Sequence, residues 1–167
     1  LLGDPGTTDH NLADRVVVAR HRSAGVVDHL DFDGSLLSRE KHYFHGHPFS
    51  YTIAGQFDLP NPIEGREFKT QLFHSNGSTV LRRIENTWTT CATLVSTAIN
   101  PCITQTVVTL EPATVNLVSK QTFTYDSYNN PTNVYEHGFQ TGVAGGLVRR
   151  TKTDYLTINP VNGINYA

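Results

Sequence analysis

The 167-residue chain has no Met, a single Trp and two Cys, and 17% of its residues are charged. No apolar run approaches the ~18 residues that a membrane-spanning helix needs, so a membrane span is not expected. The first ten residues lack the basic region and apolar core of a signal peptide. Because even an initiator Met is missing, we expect Leu1 to be an internal point of a longer precursor.

An excess of charge of one sign is also missing. Lys and Arg number 13 against 15 Asp and Glu, which gives a formal net charge of -2. Without a basic excess the chain has little with which to neutralise a phosphate backbone, so nucleic acid is not an expected partner. The 38% hydrophobic content suits a globular or repeat protein. We expect residues 1–167 to form a single β-repeat region.

Signatures of catalysis and of cofactor binding are scarce. The sequence contains no GxSxG elbow and no CxxC pair. His45 and His47 are weak metal candidates, since alternation along a strand places both on one face. Exposed or hydrogen-bonded strand histidines are the preferred interpretation. No catalytic residue, metal or cofactor is therefore predicted, and an enzyme is not expected.

One acidic segment has the composition of a calcium loop. Asp28, Asp31 and Asp33 precede Gly34, but no Glu follows at the twelfth position of such a loop. The flanking hydrophobic residues alternate as in a strand that enters a turn. An Asp-Gly hairpin turn is therefore favoured over a calcium site.

A period of two dominates the hydrophobic pattern and predicts β-strands. Glycine and asparagine, which tolerate the positive φ of tight turns, separate these segments. The pattern predicts an all-β fold of consecutive antiparallel hairpins. The strand segments are RVVVARH, EKHYFHG, FKTQLFH, TQTVVTL, KQTFTYD and NVYEHGF, and the turns are Asp33-Gly34, Asn76-Gly77, Asn129-Asn130-Pro131, Gly145-Gly146 and Asn162-Gly163.

Two further segments carry specific expectations. Residues 91–98 are the one helix candidate, although their Thr and Val content favours a hairpin or loop. Cys91 and Cys102 are spaced so that a disulfide could close a hairpin, with two unpaired core thiols as the alternative. A disulfide would indicate an oxidising compartment. Pro60 and Pro62 break the strand pattern and predict a surface loop over residues 56–65.

An internal repeat is the most informative feature of the sequence. Segments 37–44, 81–88 and 148–155 share an apolar residue, then basic and polar residues, then an aromatic. Each copy follows a turn that contains glycine, so the repeated unit is a strand, a tight turn and a return strand. Its two Arg doublets, Arg82-Arg83 and Arg149-Arg150, should place one Arg on each face of the sheet.

Two aromatic-to-turn elements give the chain a resemblance to a known family. Residues 125–130, Tyr-Asp-Ser-Tyr-Asn-Asn, resemble the YD repeat, and residues 73–78, Phe-His-Ser-Asn-Gly-Ser, form a looser copy. Over about residues 30–155 the chain resembles RHS/YD-repeat proteins. Asn129 stands where the family pattern has Gly, and His74 stands where it has Asp. The matching positions are Phe73, Gly77, Trp88, Tyr125, Asp126, Asn129, Asn130 and Tyr155.

The resemblance implies a secreted or surface-attached protein whose strands form part of a hollow shell. A non-catalytic extracellular building block of a shell, wall or self-assembling filament is therefore the first hypothesis. Its partners would be other copies of the chain or adjoining repeats of its parent. A surface adhesin that binds a glycan or a protein is the alternative, and a metal-dependent enzyme is the third. The adhesin would use the aromatics Tyr43, Tyr51, Trp88, Tyr128 and Tyr135.

Five structural expectations follow from the repeat. Tyr125, Trp88 and Tyr155 should be largely buried, and Tyr125 and Phe73 should point to one inner face. Asp126 should accept backbone N–H bonds across its turn, while Gly77 and Asn129 take the left-handed conformation. Residues 151–156 should form a strand without a following partner.

Overall fold

A computed structural model describes residues 15–17, 24–46, 63–91 and 100–156. Nine strands lie within these ranges. They are β1 (Arg15–Val17), β2 (Ala24–Leu30), β3 (Leu36–Phe44), β4 (Glu67–Phe73), β5 (Val80–Thr90), β6 (Pro101–Leu110), β7 (Leu117–Tyr125), β8 (Pro131–Thr141) and β9 (Leu147–Lys152).

The nine strands form one antiparallel sheet in which their spatial order equals their order in the chain. Each strand pairs with its sequence neighbours, which confirms the predicted all-β architecture of consecutive hairpins. Within the described ranges β1 and β9 do not meet, so the sheet is open. Those ranges contain no helix, and hence none with the length and hydropathy that crossing a membrane requires.

Three of the predicted turns contain a residue with the positive φ that tight hairpins need, whereas near the predicted Gly145-Gly146 turn the positive φ is at Gly142 instead. Gly34, Gly77 and Asn129 have φ of 83°, 68° and 67°. Asn is the residue with a Cβ that best tolerates this region, which explains how Asn129 serves where glycine would be usual. The left-handed conformation expected at Gly77 and Asn129 is confirmed.

The turn between β6 and β7 was not predicted from the sequence. Glu111 and Asn116, at its two ends, have φ of 44° and 50°. The carbonyl of Glu111 accepts backbone N–H bonds from Thr114 (3.0 Å) and Asn116 (2.9 Å). Glu has no preference for turns, so its residue type does not predict this conformation, and the backbone hydrogen bonds stabilise it.

Strand register sorts the side chains onto two faces. Thr70, Ile84 and Val108 are successive partners across β4, β5 and β6, and their surface is called the Ile84 face. Gln71, Arg83 and Thr109 are the neighbouring row, and their surface is called the Arg83 face. Residues alternate between the two faces along each strand except at β-bulges.

Few side chains are buried, because no second layer covers either face within the described ranges. Phe73, Cys91 and Cys102 are each 7% exposed, and Thr109 is 2% exposed. No other described side chain is buried to this extent.

The burial expected of the repeat aromatics is wrong for Tyr155. Trp88 and Tyr125 are half-buried, and Tyr155 is 41% exposed. An aromatic on a one-layer sheet gains cover from its neighbours on the same face and none from above, so alternation alone does not bury it. Residues 153–156 also lie outside β9, which corrects the strand expected over residues 151–156.

The two cysteines form a disulfide next to the β5–β6 connection. The Cα atoms of Cys91 and Cys102 are 5.8 Å apart, and the backbone N–H of Cys91 donates to the carbonyl of Asn100 at 3.0 Å. Cys91 directly follows β5 and Cys102 lies in β6 opposite Thr89, so the bond ties the residue after β5 to the neighbouring strand. This is the pairing that the spacing suggested, with both sulfurs shielded from solvent.

Several expectations fall outside the described residues. These are His47, Tyr51, residues 56–62 of the expected loop, residues 92–98 of the helix candidate, and the Asn162-Gly163 turn. The end of the expected loop is described, and residues 63–65 form a turn there.

We expect the double variant Cys91→Ala/Cys102→Ala to lose about 3 kcal/mol of unfolding free energy. The bond closes a loop with a sequence separation of 11, and releasing it returns conformational entropy to the unfolded chain. Urea unfolding of variant and parent measures the difference. Labelling of both thiols in denatured, unreduced parent protein would contradict the disulfide.

Candidate assembly surface

Strand β9 forms the last described edge of the sheet. Its residues pair with β8 on one side, and among the described residues no strand pairs with its other side. All six of its residues are exposed. Such an edge presents unpaired N–H and C=O groups that can template the addition of another strand.

Exposed apolar side chains concentrate at the same end of the sheet. Val148 is 75% exposed and Leu147 is 55% exposed, both within β9. Alternation places Leu147 and Val148 on opposite faces, so the edge strand exposes apolar surface on both of its faces, which favours contact with another chain. The β9 edge patch, as it is called below, consists of Phe139, Val143, Leu147, Val148, Tyr155 and Leu156.

The Arg doublet of β9 places one guanidinium on each face, as its spacing predicted. Arg149 donates to both oxygens of Glu136 on the Ile84 face, with Nη2 2.9 Å from Oε1. Arg150 donates through Nε and Nη2 to Oδ1 of Asn133 at 3.1 and 2.8 Å on the Arg83 face. Both contacts cross to β8 and hold the edge strand in register.

A row of polar side chains crosses the Ile84 face from β5 to β9. Thr106 Oγ1 donates to Asn86 Oδ1 at 2.9 Å, and Gln121 Nε2 donates to Glu136 Oε1 at 3.1 Å. A shallow cavity of about 230 Å³ lies beside this row, with Val108, Ser119 and Phe139 also in its lining. Side-chain hydrogen bonds in this row thus join β5 to β6 and β7 to β8 in addition to the backbone ladders.

Ion pairs shift the pKa values of their members. Hydrogen bonding from Arg149 is the largest influence on Glu136 and lowers the pKa of its carboxyl below the usual range. Hydrogen bonding from Arg39 does the same for the pKa of Asp28, with Nε and Nη2 at 2.6 and 2.8 Å from the two carboxylate oxygens. Both pairs join neighbouring strands.

Asp126 organises the turn of the YD-like element. Its Oδ1 accepts backbone N–H bonds from Tyr128 (2.8 Å) and Asn130 (2.9 Å), and its Oδ2 accepts from Asn130 Nδ2 (3.1 Å). Desolvation raises the pKa of Asp126, but these hydrogen bonds outweigh it and the pKa is lowered. The expected role of Asp126 as an acceptor across the turn is confirmed.

The two aromatics that open the repeat turns lie on opposite faces. Phe73 shares the Arg83 face with Lys41, whose Nζ is 5.0 Å from the Phe73 ring centroid. Tyr125 lies on the Ile84 face, where its hydroxyl donates to the carbonyl of Ile103 at 2.6 Å. The expectation of one inner face for both is wrong. The strands β4 and β7 run in opposite directions, while in both hairpins the next strand lies on the same side. One hairpin is therefore turned over relative to the other, which places Phe73 and Tyr125 at opposite ends of the sheet and on opposite faces.

The predicted Asp33-Gly34 turn is a third turn of the same kind, a likeness that was not recognised from the sequence. Residues 30–35, Leu-Asp-Phe-Asp-Gly-Ser, lead from β2 into β3. Gly34 N donates to Asp31 O at 2.8 Å, as Gly77 N does to His74 O and Asn129 N does to Asp126 O at 3.2 Å. The Asp-x-x-Gly spacing indicates this kind of turn. Leu30, however, is aliphatic, whereas the repeat motif begins with an aromatic residue.

The histidines near the start of the β3–β4 connection make contacts other than metal ligation. His45 packs on Phe68, with ring centroids 4.8 Å apart. His42 Nδ1 lies 2.7 Å from Glu67 Oε1, and its Nε2 lies 3.5 Å from Glu40 Oε2. Within the described ranges no three His, Cys, Asp or Glu side chains are grouped so that they could hold a metal ion.

Comparison of the chain with protein-family models, curated proteins and solved structures gave no match. The resemblance to RHS/YD-repeat proteins therefore rests on the residues of this chain and stays a hypothesis. The turns at 73–78 and 125–130 do share backbone hydrogen bonding and positive φ, which gives the repeat a structural counterpart.

We expect the urea midpoint of the chain to fall as the pH drops below about 4. The pKa values of Asp28, Asp126 and Glu136 are lowered in the folded state. Such groups stabilise the fold above the pKa of the unfolded chain, and that contribution is lost as pH falls through the lowered folded values. Asp28→Asn should flatten the decline. A midpoint that stays constant from neutral pH to about pH 2 would contradict the linkage.

We expect Asn129→Gly to stabilise the chain by about 1 kcal/mol. The φ of 67° suits glycine, and the Oδ1 of Asn129 is buried without a hydrogen-bond partner among the described residues. Asn129→Ala, the matched variant, should be about 1 to 2 kcal/mol less stable than Asn129→Gly, since Ala is strained at positive φ. Urea unfolding ranks the three chains, and equal stability of the Gly and Ala variants would contradict the turn geometry.

Proposed function

We propose that this chain is a non-catalytic extracellular building block of the RHS/YD-repeat type. Its strands would extend a larger β-sheet that forms part of a shell, wall or filament. The observation that carries the proposal is the one-layer, open sheet, in which strands follow one another in chain order and end at an uncovered edge within the described ranges.

The sparse burial supports a component of a larger assembly. A domain of this size normally gains its stability from a core between two packed layers. Here the described part of the chain has four well-buried side chains, and both faces consist mostly of half-buried residues. Adjoining repeats or further copies would supply contacts that one layer does not make.

The β9 edge patch supports addition of another strand at this end. Backbone pairing with β9 would satisfy its outward N–H and C=O groups, and Leu147 and Val148 would be covered by the neighbour. A contact between two different edges is heterologous and continues unless its rotation closes a ring. A filament or a sheet wall is the product of such a contact.

The disulfide supports an extracellular or otherwise oxidising location. Disulfides persist in secreted and surface proteins and are rare in the reducing cytosol. The bond joins Cys91, directly after β5, to Cys102 in β6, and both cysteines are 7% exposed. Burial protects the bond, which suits a structural role.

The aromatic adhesin receives less support from the described aromatics. Tyr128, at the tip of the β7–β8 turn, is 42% exposed. Tyr43 and Tyr135 are half-buried beneath Lys69 and Arg150, whose charged groups lie 4.0 and 5.4 Å from the ring centroids. These residues do not form one exposed aromatic patch within the part of the chain that the structure describes.

We expect the purified chain to self-associate at micromolar concentration and Val148→Lys to weaken this association at least tenfold. A charge on the edge strand opposes strand addition, because its burial in the new contact is costly. Light scattering after size-exclusion chromatography measures the mass across a dilution series.

Leu37→Lys is the matched control for this experiment. Leu37 is also an exposed hydrophobic residue, at 52%, but lies in β3, which pairs with strands on both sides. This variant should associate as the parent does. A monodisperse monomer at all concentrations, or equal loss in both variants, would overturn assembly through the β9 edge.

A further inference from the structure

The strand register gathers basic side chains on one face of the sheet. Within β2 to β9, seven Lys and Arg residues lie on the Arg83 face, together with the carboxylates of Asp28 and Glu85. The basic residues are Arg39, Lys41, Lys69, Arg83, Lys120, Arg150 and Lys152.

The opposite face carries no such excess. In the described strands of the Ile84 face, Arg82 and Arg149 are outnumbered by Glu40, Glu67 and Glu136. Within its described strands, a chain with a formal net charge of -2 therefore has a cationic excess on the Arg83 face. The net charge of the sequence sums over both faces, so it does not reveal that the basic residues are concentrated on one of them.

Part of the positive charge is neutralised locally. Arg39 pairs with Asp28, Arg83 Nε lies 3.0 Å from Glu85 Oε2, and Lys152 Nζ lies 2.8 Å from Asp154. Lys41, Lys69 and Lys120 have no carboxylate within ion-pair distance among the described residues. These three lysines, called the lysine set below, lie on β3, β4 and β7.

Aromatic rings hold two members of the lysine set in place. Lys41 Nζ lies 5.0 Å from the ring centroid of Phe73, and Lys69 Nζ lies 4.0 Å from that of Tyr43. A cation over a ring is attracted to the ring face and keeps its charge. The rings thereby hold the ammonium groups of Lys41 and Lys69 in position, and the N–H groups of these lysines remain available to donate hydrogen bonds to a ligand.

We propose that the Arg83 face binds an acidic polysaccharide whose repeating units carry carboxylates. Neighbouring strands lie ~4.8 Å apart, so the lysine set spans on the order of 19 Å from β3 to β7. Cations repeated over such a length complement a polymer with repeated anions better than a single small anion. Lys69 and Lys120 lie on one cross-strand row, through Glu85 and Val107.

The same surface is poorly suited to single-stranded nucleic acid. Sequence-tolerant binding of single strands uses exposed aromatic faces on which bases stack. On the Arg83 face Tyr43, Phe73 and Tyr135 are each covered by a basic side chain. The disulfide also indicates an oxidising compartment, where acidic polysaccharides are the accessible polyanions.

This inference is independent of edge-to-edge assembly, because its residues lie on a face and none belongs to the β9 edge patch. Failure of one proposal leaves the other standing. Both can be tested on the same purified chain.

Calorimetric titration of the full chain with polygalacturonate tests the inference, with dextran and duplex DNA as comparison polymers. We expect binding of polygalacturonate in about 0.1 M NaCl and its loss in about 1 M NaCl, where screening shortens from ~10 to ~3 Å. Lys69→Gln/Lys120→Gln should weaken binding roughly tenfold, as removal of two surface ionic contacts would.

Arg66→Gln/Arg82→Gln is the charge-matched control. Arg82 lies on the Ile84 face and Arg66 lies over Trp88 on that side, 5.8 Å from its ring centroid. This variant should bind as the parent does, and thermal melts establish that both variants are folded. Equal weakening in both variants, equal binding of dextran, or tighter binding of duplex DNA than of polygalacturonate would each overturn the proposal.

Discussion

Backbone hydrogen bonding between strands that follow one another in the chain is the constraint on which the rest of this structure depends. With one layer in the described ranges, few side chains are buried, so the backbone ladders and the side-chain contacts across them hold the strands. Every ladder is antiparallel and every connection joins adjacent strands, so each hairpin can form from local contacts. For the same reason, the outer side of β9 has backbone N–H and C=O groups that could pair with a further strand, as those of the interior strands do.

Local features of the fold were predictable because their causes are local. Alternation of side chains predicted the strands, and Gly34, Gly77 and Asn129 predicted turns that require positive φ. Asp126 was assignable as a turn acceptor because a carboxylate reaches backbone N–H groups two to four residues ahead. The turn that begins at Glu111 escaped prediction since its conformation follows from the backbone bonds it accepts rather than from its residue type.

Nonlocal features were out of reach of a single sequence. Phe73 and Tyr125 occupy the same position in their motifs, but the number of strands between them decides their faces. The exposure of Tyr155 depends on whether a second layer covers the sheet, which a strand pattern in one sequence does not state. The cationic face could not be predicted for the same reason. The placement of Lys41, Lys69 and Lys120 on one face depends on the register of five strands.

Assembly and polyanion binding reinforce one another if both proposals hold. Strand addition at β9 continues the sheet, and a copy added with its first strand parallel to β9 would extend the Arg83 face sideways. A polymer that contacts several copies gains from effective concentration, since each further contact is intramolecular. Because the polymer would bind assembled chains more tightly than single ones, it would also favour assembly by mass action. A sheet without a core of its own would in this way acquire stability from its neighbours and from its ligand together.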